Sequence, residues 1–456
     1  MTDATRRHVL ARTGAVGAGI AFSGTLSALF EGTAAASQPS GRSGYGPLVP
    51  DPAGLLDLPR GFHYKVLSRE GDQLRSGEGT VPSNHDGMTA LPGRRGRTYL
   101  VRNHENRVTA KHRVPAIAGI TYDPNGMGGC TALELDGRNN VLSERVAIAG
   151  TAVNCAGGPT PWHTWLTCEE TEDKAGTNGY TKDHGFIFET DPSDPQRSGA
   201  VPLTAMGRFA HEAIAIDPDH GTVYETEDAF IKPFGLFYRF HPNKPLGGVG
   251  SLRAGGALEA MRVPGVPDLS AVQETGARFE GVEWVPVPDP LAKETPIRLQ
   301  DFGPKGITHA QKLEGCYWGG SCVYFVSSFA ISKDGAAGDH FGQVWKYEPK
   351  KRRLTLVVVF GPSTDIQLPG ESPDNITLAP GGGLMVCEDG EGAQHVFGLD
   401  RKGKVYPMAR GRQNIGTAEE PAWGEFAGVT FAPDGRTMFV NCYTPGTTFA
   451  VTGPWC

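Results

Sequence analysis

The chain has 456 residues, with 43 lysines and arginines, 50 aspartates and glutamates, and a formal net charge of −7. This mild acidity comes without a basic stripe, which argues against nucleic acid as a partner. The 63 glycines and 35 prolines are spread along the sequence, so they indicate many turns rather than a disordered tract.

The N-terminus has the features of an export signal. The pair Arg6-Arg7 is followed by an uncharged, Ala/Gly-rich stretch over 14–30 and by Ala34-Ala35-Ala36. Together these features are typical of a twin-arginine signal, here residues 1–36. A membrane anchor is the alternative, but the stretch is short and poor in Leu and Ile. We therefore expect a partner in the twin-arginine export machinery and a protein that is secreted or held in the cell envelope.

The rest of the chain has the pattern of a β protein. After a Ser/Gly/Pro-rich, extended lead-in over 37–55, short β-branched or aromatic runs alternate with Pro/Asp/Gly/Asn turns. Comparable units recur about every 40 to 70 residues, which is the length of antiparallel blades with inserted loops. The pattern predicts an all-β fold, a six-bladed β-propeller with loop insertions that forms a single domain over 56–456. A large sandwich or a two-barrel protein is the alternative.

One stretch, from Asn154 to Glu170, combines a thiol with two adjacent carboxylates. Cys155 opens it, a Gly-Gly-Pro-Thr-Pro turn follows, and Glu169-Glu170 closes it after a short apolar run. Adjacent carboxylates repel each other unless a cation or a shared proton relieves them, and a thiolate beside them suits a transition metal better than calcium alone. The alternative is that Cys155 is a buried small hydrophobe and that one of the two glutamates is exposed.

Further acids stand close to predicted strands at distant points of the chain, among them Glu105, Glu212, Glu280 and Asp389. Because a propeller brings its inner strands to a common axis, such acids would converge at one mouth, where an all-oxygen cage suits calcium. Arg278 stands two residues before Glu280 and would share its face of a strand, so its guanidinium could hold a phosphate. A structural salt bridge between Arg278 and Glu280 is the alternative. Four histidines stand beside candidate groups: His85, His104, His163 and His211.

These motifs resemble those of the PhoX family of twin-arginine-exported alkaline phosphatases. The similarity extends from Leu55 to Trp455, with two departures: His163 replaces the glycine of the usual Thr-Pro-Trp-Gly run, and Phe279 replaces the proline of the usual Arg-Pro-Glu run. The matching segments are Asn154-Cys155-Ala156-Gly157-Gly158, Thr160-Pro161-Trp162, Cys168-Glu169-Glu170, His85-Asp86-Gly87-Met88, Asn103-His104-Glu105, Gly207-Arg208-Phe209-Ala210-His211-Glu212, Pro373-Asp374-Asn375 and Cys387-Glu388-Asp389-Gly390.

The resemblance implies a six-bladed propeller that hydrolyses phosphate monoesters. It also implies two ferric ions (Fe3+) bridged by an oxo group and by Cys155, with calcium ions (Ca2+) alongside. Arg278 is the implied phosphate contact, so Arg278 and Cys155 are the expected catalytic residues. The implied metal ligands are Cys155, Glu169, Glu170, Glu212 and Glu280, with Glu105 and Asp389 as further candidates.

The hypothesis is metal-assisted hydrolysis of small phosphate esters by a monomer, with a metal-bound oxo group or hydroxide attacking in line. A calcium-dependent lactonase-like hydrolase is the first alternative, and it would need acids and Asn but no cysteine. A non-enzymatic, calcium-stabilised binding propeller is the second. Cys316 and Cys322 could form a disulfide after export, although spacing alone does not establish the pairing.

Overall fold

The computed structural model describes residues 44–330, 341–361, 372–390 and 392–455. The predicted signal over 1–36 and the start of the lead-in lie outside the described residues. Within these ranges the regular structure consists almost entirely of strands: β1 (Leu48–Val49), β2 (Leu56–Pro59), β3 (His63–Arg69), β4 (His85–Pro92), β5 (Thr98–His104), β6 (Gly128–Leu135), β7 (Val141–Thr151), β8 (Asn154–Pro159), β9 (Trp165–Glu169), β10 (Ile187–Thr190), β11 (His211–Ile216), β12 (Val223–Glu227), β13 (Gly235–Pro242), β14 (Gly256–Arg262), β15 (Arg278–Phe279), β16 (Glu283–Pro286), β17 (His309–Ala310), β18 (Leu313–Gly319), β19 (Cys322–Ala330), β20 (Phe341–Glu348), β21 (Arg353–Phe360), β22 (Pro373–Leu378), β23 (Leu384–Glu388), β24 (His395–Leu399), β25 (Val405–Gly411), β26 (Phe426–Phe431), β27 (Thr437–Cys442) and β28 (Thr447–Thr452).

Helical segments are short. Within the described ranges they are α1 (Pro195–Ser198) and the 3-10 turns Arg94–Gly96, Thr204–Met206, Ser251–Ala254, Leu269–Ala271, Ile297–Leu299 and Pro349–Lys351. No helix in the described ranges has the length and apolar character needed to cross a membrane.

In the described part of the chain the strands form six antiparallel sheets, each of which is a blade. Blade 1 is β4-β5-β6-β7, blade 2 is β8-β9-β10, blade 3 is β11-β12-β13-β14-β16 with β17 on β13, blade 4 is β18-β19-β20-β21-β15, blade 5 is β22-β23-β24-β25-β2-β1, and blade 6 is β26-β27-β28-β3. The first strand of every blade packs against the first strands of both neighbouring blades, so these inner strands surround a common axis. The predicted six-bladed propeller is confirmed.

Apolar side chains fill the spaces between neighbouring blades. Leu166 and Ile187 of blade 2 pack with Ile214 of blade 3. Between blades 3 and 4, the rings of Phe237 and Phe325 stack with their centroids 4.2 Å apart. Alternate residues of a strand point to opposite faces of its sheet, so each blade supplies side chains to the layers on both of its sides. These layers hold the inner strands in place around the axis.

Strands from the two ends of the chain complete the ring. In blade 6, β3 pairs with β28 so that Val66 lies opposite Phe449. At the outer edge of blade 5, β2 pairs with β25 and β1 pairs with β2. The lead-in predicted over 37–55 therefore contributes one short strand, β1, to the propeller, and the boundary at residue 56 stays a prediction.

Every inner strand contains a β-bulge near its start. In blade 2, Asn154 pairs with Glu169 and the next pair is Gly157 with Thr167, which leaves one extra residue on the inner strand. The other five blades show the same irregularity at the start of β4, β11, β18, β22 and β26. A bulge bends the strand and redirects the side chains beside it. Here the redirected residues are those nearest the axis.

The structure also bears on the possible disulfide between Cys316 and Cys322, which the sequence left open. Cys316 packs in the layer between blades 3 and 4, whereas Cys322 packs in the layer between blades 4 and 5. The two thiols therefore lie on opposite faces of one sheet and remain free. Cys316 lies opposite Phe325, so these two side chains share a face of the sheet. Cys322 stands three residues before Phe325 on the same strand and therefore points to the other face.

Candidate metal centre and active site

The second residue of each inner strand lies at the bulge and close to the axis. We call these positions the inner ring: Asp86, Cys155, Glu212, Glu314, Asp374 and Ala427. The first five carry a carboxylate or a thiol, and all five are buried. In several blades the residue after the inner-ring residue is small, because the neighbouring inner strand contacts the backbone at that point. A Cβ on Gly87 would lie 2.5 Å from the Cα of Ala156, and one on Gly315 would lie 2.6 Å from the carbonyl oxygen of Asp374.

A second set of residues lies just outside the first. In the described part of each blade, one residue of the second strand or directly after it donates its backbone N–H to the carbonyl that precedes the inner strand, over 2.8 to 3.1 Å. We call these positions the outer ring: Glu105, Glu170, Asp228, Ser328, Asp389 and Tyr443. This repeated hydrogen bond fixes the outer ring beside the inner ring at the same end of the propeller.

The two rings bring acids and one thiol within the reach of a single ion. Ligand atoms of Cys155, Glu170 and Glu212 all lie within 4.8 Å of one another, and the same limit holds for Glu212, Glu314 and Asp374. Glu212 belongs to both groups, so the two groups are adjacent. We refer to the inner and outer rings together as the acid cluster.

Burial and, after it, mutual repulsion disfavour negative charge within the acid cluster. Burial and then the carboxylates of Glu314 and Glu170 raise the pKa of Glu212 well above its usual value. Burial, Glu105 and Asp374 do the same to the pKa of Asp86. Burial, with Glu212 and Glu170, raises the pKa of the Cys155 thiol. Negative charge at these positions is therefore unfavourable unless a cation compensates it or the groups share a proton.

The hydrogen bonding of the cluster fits a bound cation. Among the described residues Oε2 of Glu212 is buried without a hydrogen-bond partner, and a buried carboxylate oxygen in that state is costly unless it coordinates an ion. The Cys155 thiol donates to the carbonyl oxygen of His211 over 3.2 Å, directly beside Glu212. Carboxylates alone suit calcium, and the added sulfur suits a transition metal.

The basic side chains of Lys312 and Arg107 border the acid cluster. The buried ammonium of Lys312 pairs with Glu314. Nη2 of Arg107 lies 3.0 Å from Oε1 of Glu105 and 3.9 Å from Oε2 of Glu170, and the Arg107 side chain is 56% exposed. A basic group at the edge of an acidic site can bind an anion that also contacts the bound cations.

The structure places Glu169, a predicted ligand, away from the acid cluster. Its carboxylate accepts hydrogen bonds from Nδ1 of His184 at 2.6 Å and from the backbone N–H groups of Ala152, Gly185 and Phe186. Both oxygens are therefore satisfied away from the axis, because consecutive residues of an extended chain point in opposite directions. Glu227 and Glu388 occupy the equivalent places in blades 3 and 5 and accept backbone N–H bonds in the same way.

The structure also places Arg278 and Glu280, the predicted phosphate contact and a predicted ligand, away from the acid cluster. Arg278 belongs to β15, which pairs with β21 at the outer edge of blade 4, and it is exposed. The Glu280 side chain is 65% exposed and lies 3.8 Å from Arg353. The structure does not bring either residue to the axis, because β15 is the last strand of its sheet. The same spacing of a basic residue and a glutamate recurs in Lys312-Leu313-Glu314, at the start of the inner strand β18.

The structure places the other predicted residues as follows. Cys155 and Glu212 lie in the inner ring, and Glu105, Glu170 and Asp389 lie in the outer ring. His85, His104 and His211 are buried and bonded to protein groups, whereas His163 is exposed. His163 has a φ of 66°, a left-handed conformation that favours glycine, which accounts for the glycine of the usual motif at this point.

Four residues of the site were not singled out as ligands or phosphate contacts from the sequence: Asp86, Glu314, Asp374 and Lys312. A signal for them does exist. In Asp86-Gly87 and Glu314-Gly315 an acid stands directly before a glycine at the start of a strand, as Cys155 stands before Ala156. This pattern can be recognised only when it is known which strands are the inner ones, because it marks the second residue of an inner strand.

Comparisons with known proteins agree with this architecture. A family model described as alkaline phosphatase PhoX matches residues 43–446. Among solved structures, Pseudomonas fluorescens PhoX in complex with vanadate, a transition state analogue, is similar at 18% identity, with 88% of this chain and 96% of that chain covered and a TM-score of 0.63. A gluconolactonase from Xanthomonas campestris is similar at 12% identity, with 90% and 99% of the two chains covered and a TM-score of 0.43. No curated protein matches the chain. The match over most of the sequence shows that the chain belongs to the alkaline phosphatase PhoX family.

Proposed function

We propose that this phosphatase hydrolyses phosphate monoesters of small molecules at the acid cluster, with iron and calcium ions held by the two rings. The observation that carries the proposal is the convergence of Cys155, Glu170 and Glu212 within 4.8 Å, next to the all-oxygen group of Glu212, Glu314 and Asp374. Within this family's fold, that arrangement supplies both a mixed sulfur and oxygen site and an oxygen-only site.

The donor types support an assignment of ions to places. Cys155, Glu170 and Glu212 would hold iron, because a thiolate is a soft ligand that calcium does not favour. Glu314 and Asp374 would hold calcium together with Glu212, and Asp86, Glu105 and Asp389 extend the supply of hard ligands around them. When bound, these ions would neutralise charge on the phosphoryl oxygens and acidify water.

The chain's own basic groups would orient the ester. Lys312 is buried beside Glu314, so its ammonium can contact a phosphoryl oxygen without leaving the protein interior. Arg107 is exposed on the solvent side and can close over a second oxygen. In this proposal Lys312 takes the role that the sequence assigned to Arg278. Buried positive charge is most effective where negative charge develops in the transition state.

Metal analysis combined with turnover tests the proposal. Purified protein should contain iron and calcium, hydrolyse p-nitrophenyl phosphate, lose activity with a chelator and regain it with both ions. Cys155→Ser should lose iron and activity while keeping its fold, whereas a lactonase-like enzyme would tolerate the change. Metal content without turnover of any ester would instead indicate the binding propeller, and full activity in excess chelator would refute the proposal.

We further propose that the protein is exported by the twin-arginine machinery and acts as a monomer in the cell envelope or outside the cell. Arg6-Arg7 and Ala34-Ala35-Ala36 in the sequence support export. Replacing both arginines with lysines should retain the precursor and its phosphatase activity inside the cell, as measured by fractionation. Light scattering of the purified mature protein tests the monomer.

A further inference from the structure

The loop over 228–234, between β12 and β13, runs from the acid cluster to the surface. Asp228 belongs to the outer ring, and the backbone N–H of Lys312 donates to the carbonyl of Ala229 over 3.2 Å. The next two residues are apolar and face solvent: Phe230 is 52% exposed and Ile231 is 79% exposed. The loop is therefore tied to Lys312 at the point where the apolar surface begins.

Aromatic contacts connect that surface with Lys312. The ring of Phe230 meets the ring of Phe329 edge-on, with centroids 5.6 Å apart. Nζ of Lys312 lies 5.4 Å from the centroid of the Phe329 ring, and the same ammonium pairs with Glu314 in the acid cluster. A continuous path of contacts thus leads from the Lys312 ammonium, the proposed phosphate contact, through Phe329 to Phe230 and its neighbour Ile231.

Exposure of this kind is unusual for the molecule. Phe230 and Ile231 have the highest exposed fractions among the large exposed hydrophobic residues in the described part of the chain. Leaving such side chains in water costs free energy, and an apolar patch bordered by charged groups commonly marks a place where a ligand binds. Asp228 is the one acid of this loop, and the part from Ala229 to Phe234 contains none, so this exposed part does not repel an anionic ligand.

We propose that Phe230 and Ile231 contact the organic group of the phosphate ester and make the enzyme selective for esters of apolar alcohols and phenols over glycerol or sugar phosphates. The inference rests on the proposed function, because it places the phosphate at Lys312 and the acid cluster. The alcohol then extends along Phe329 toward solvent, where it covers the two exposed side chains.

The test compares two substrates in three proteins. We would measure kcat/KM for 1-naphthyl phosphate and for glycerol 2-phosphate with the wild type, the double variant Phe230→Ser/Ile231→Ser, and the control Leu142→Ser. Leu142 is also exposed, at 45%, but lies on β7 at the outer edge of blade 1. We expect the naphthyl to glycerol ratio to fall about tenfold in the double variant, through loss of apolar contact area, and to be unchanged in the control.

A binding measurement gives the same comparison without turnover. Calorimetric titration with benzylphosphonate and with methylphosphonate should show that the double variant weakens binding of the benzyl compound only. A wild-type ratio in the double variant, or an equal fall in Leu142→Ser, would overturn this inference and leave the phosphatase proposal intact. If the metal-loaded wild type hydrolyses neither ester, the proposed function fails, and the inference fails with it.

Discussion

Oε2 of Glu225 lies 3.5 Å from Nδ1 of His211 inside blade 3, and both side chains are buried. Nε2 of His211 is 3.2 Å from the carbonyl of Gly207 and donates to it, so Nδ1 is left as an acceptor. Among the described residues, neither oxygen of Glu225 has a hydrogen-bond partner. Burial raises the pKa of Glu225 well above its usual value and lowers that of His211 to about 3. A neutral carboxylic acid facing a neutral imidazole satisfies all these features.

Glu225→Gln should therefore become progressively more stable than the wild type as the pH rises. The folded protein holds a proton on Glu225 that the unfolded chain releases near pH 4.3, so the wild type loses stability above that pH, by roughly 1.4 kcal/mol for each unit of pKa shift. The amide cannot ionise and avoids this loss. Urea unfolding of both proteins in chelator between pH 4 and 8 measures the difference, and a difference that does not change with pH would contradict the neutral pair.

Lys312→Met and Arg278→Met should have opposite outcomes, although both remove a basic residue two positions before a glutamate. We expect the Lys312 change to lower kcat/KM for p-nitrophenyl phosphate about 100-fold, because a preorganised charge near the phosphoryl group is lost. The Arg278 change, at an exposed outer strand, should leave kcat/KM close to the wild-type value. A large loss for Arg278→Met with little loss for Lys312→Met would show that the phosphate binds elsewhere.

The neighbouring glutamates Glu169 and Glu170 should separate stability from metal binding. Glu169→Gln removes the charge that accepts the hydrogen bond from His184, and we expect it to lower the free energy of unfolding by about 3 kcal/mol. Glu170→Gln removes a charge that repels Glu212 and Cys155, so it should not lower the unfolding free energy measured in chelator, but it should reduce the iron content of the protein purified without chelator. Urea unfolding in chelator and elemental analysis of the purified variants measure the two effects. Equal metal loss in both variants would indicate that Glu169 is a ligand, as the sequence predicted.

His184 should make a second pH-dependent contribution to stability, here as a cation rather than as a neutral acid. Burial lowers its pKa, but the carboxylates of Glu169 and Asp123 outweigh burial, and the net pKa is raised. Its contribution to stability is therefore fully present below about pH 6.5, the pKa of an unperturbed histidine, and is lost as the pH rises through the folded pKa. His184→Gln should be destabilising at pH 6 and much less so at alkaline pH. A destabilisation that is constant across this range would indicate that His184 stays neutral.

The sequence predicted the fold correctly because its evidence is local: short strands, tight turns and a regular interval. It also named Cys155, Glu105, Glu170, Glu212 and Asp389, which the structure places in the two rings, and their role as metal ligands stays a prediction. These residues stand beside glycine, alanine, histidine or another acid at strand ends, where the local pattern is visible.

The remaining site residues depend on information that local patterns do not contain. Arg278-Phe279-Glu280 and Lys312-Leu313-Glu314 have the same spacing, and only the order of strands in blade 4 shows which of them reaches the axis. Glu169 and Glu170 differ only in the direction of their side chains, which the pairing of Asn154 with Glu169 decides. Residue spacing predicted that acids gather at the axis, whereas register determines which acids they are.

The pairing of β3 with β28 also has a consequence for the order of folding and ion binding. Blade 6 combines β3 with strands that are distant from it in the sequence, and its inner strand lies beside Glu425 and Tyr443. A chain in which β28 has not yet formed therefore holds an open arc of blades, in which acids such as Asp86 have no neighbour on one side. We expect stable ion uptake only after blade 6 has closed, and deletion of β28 should abolish ion binding together with the fold.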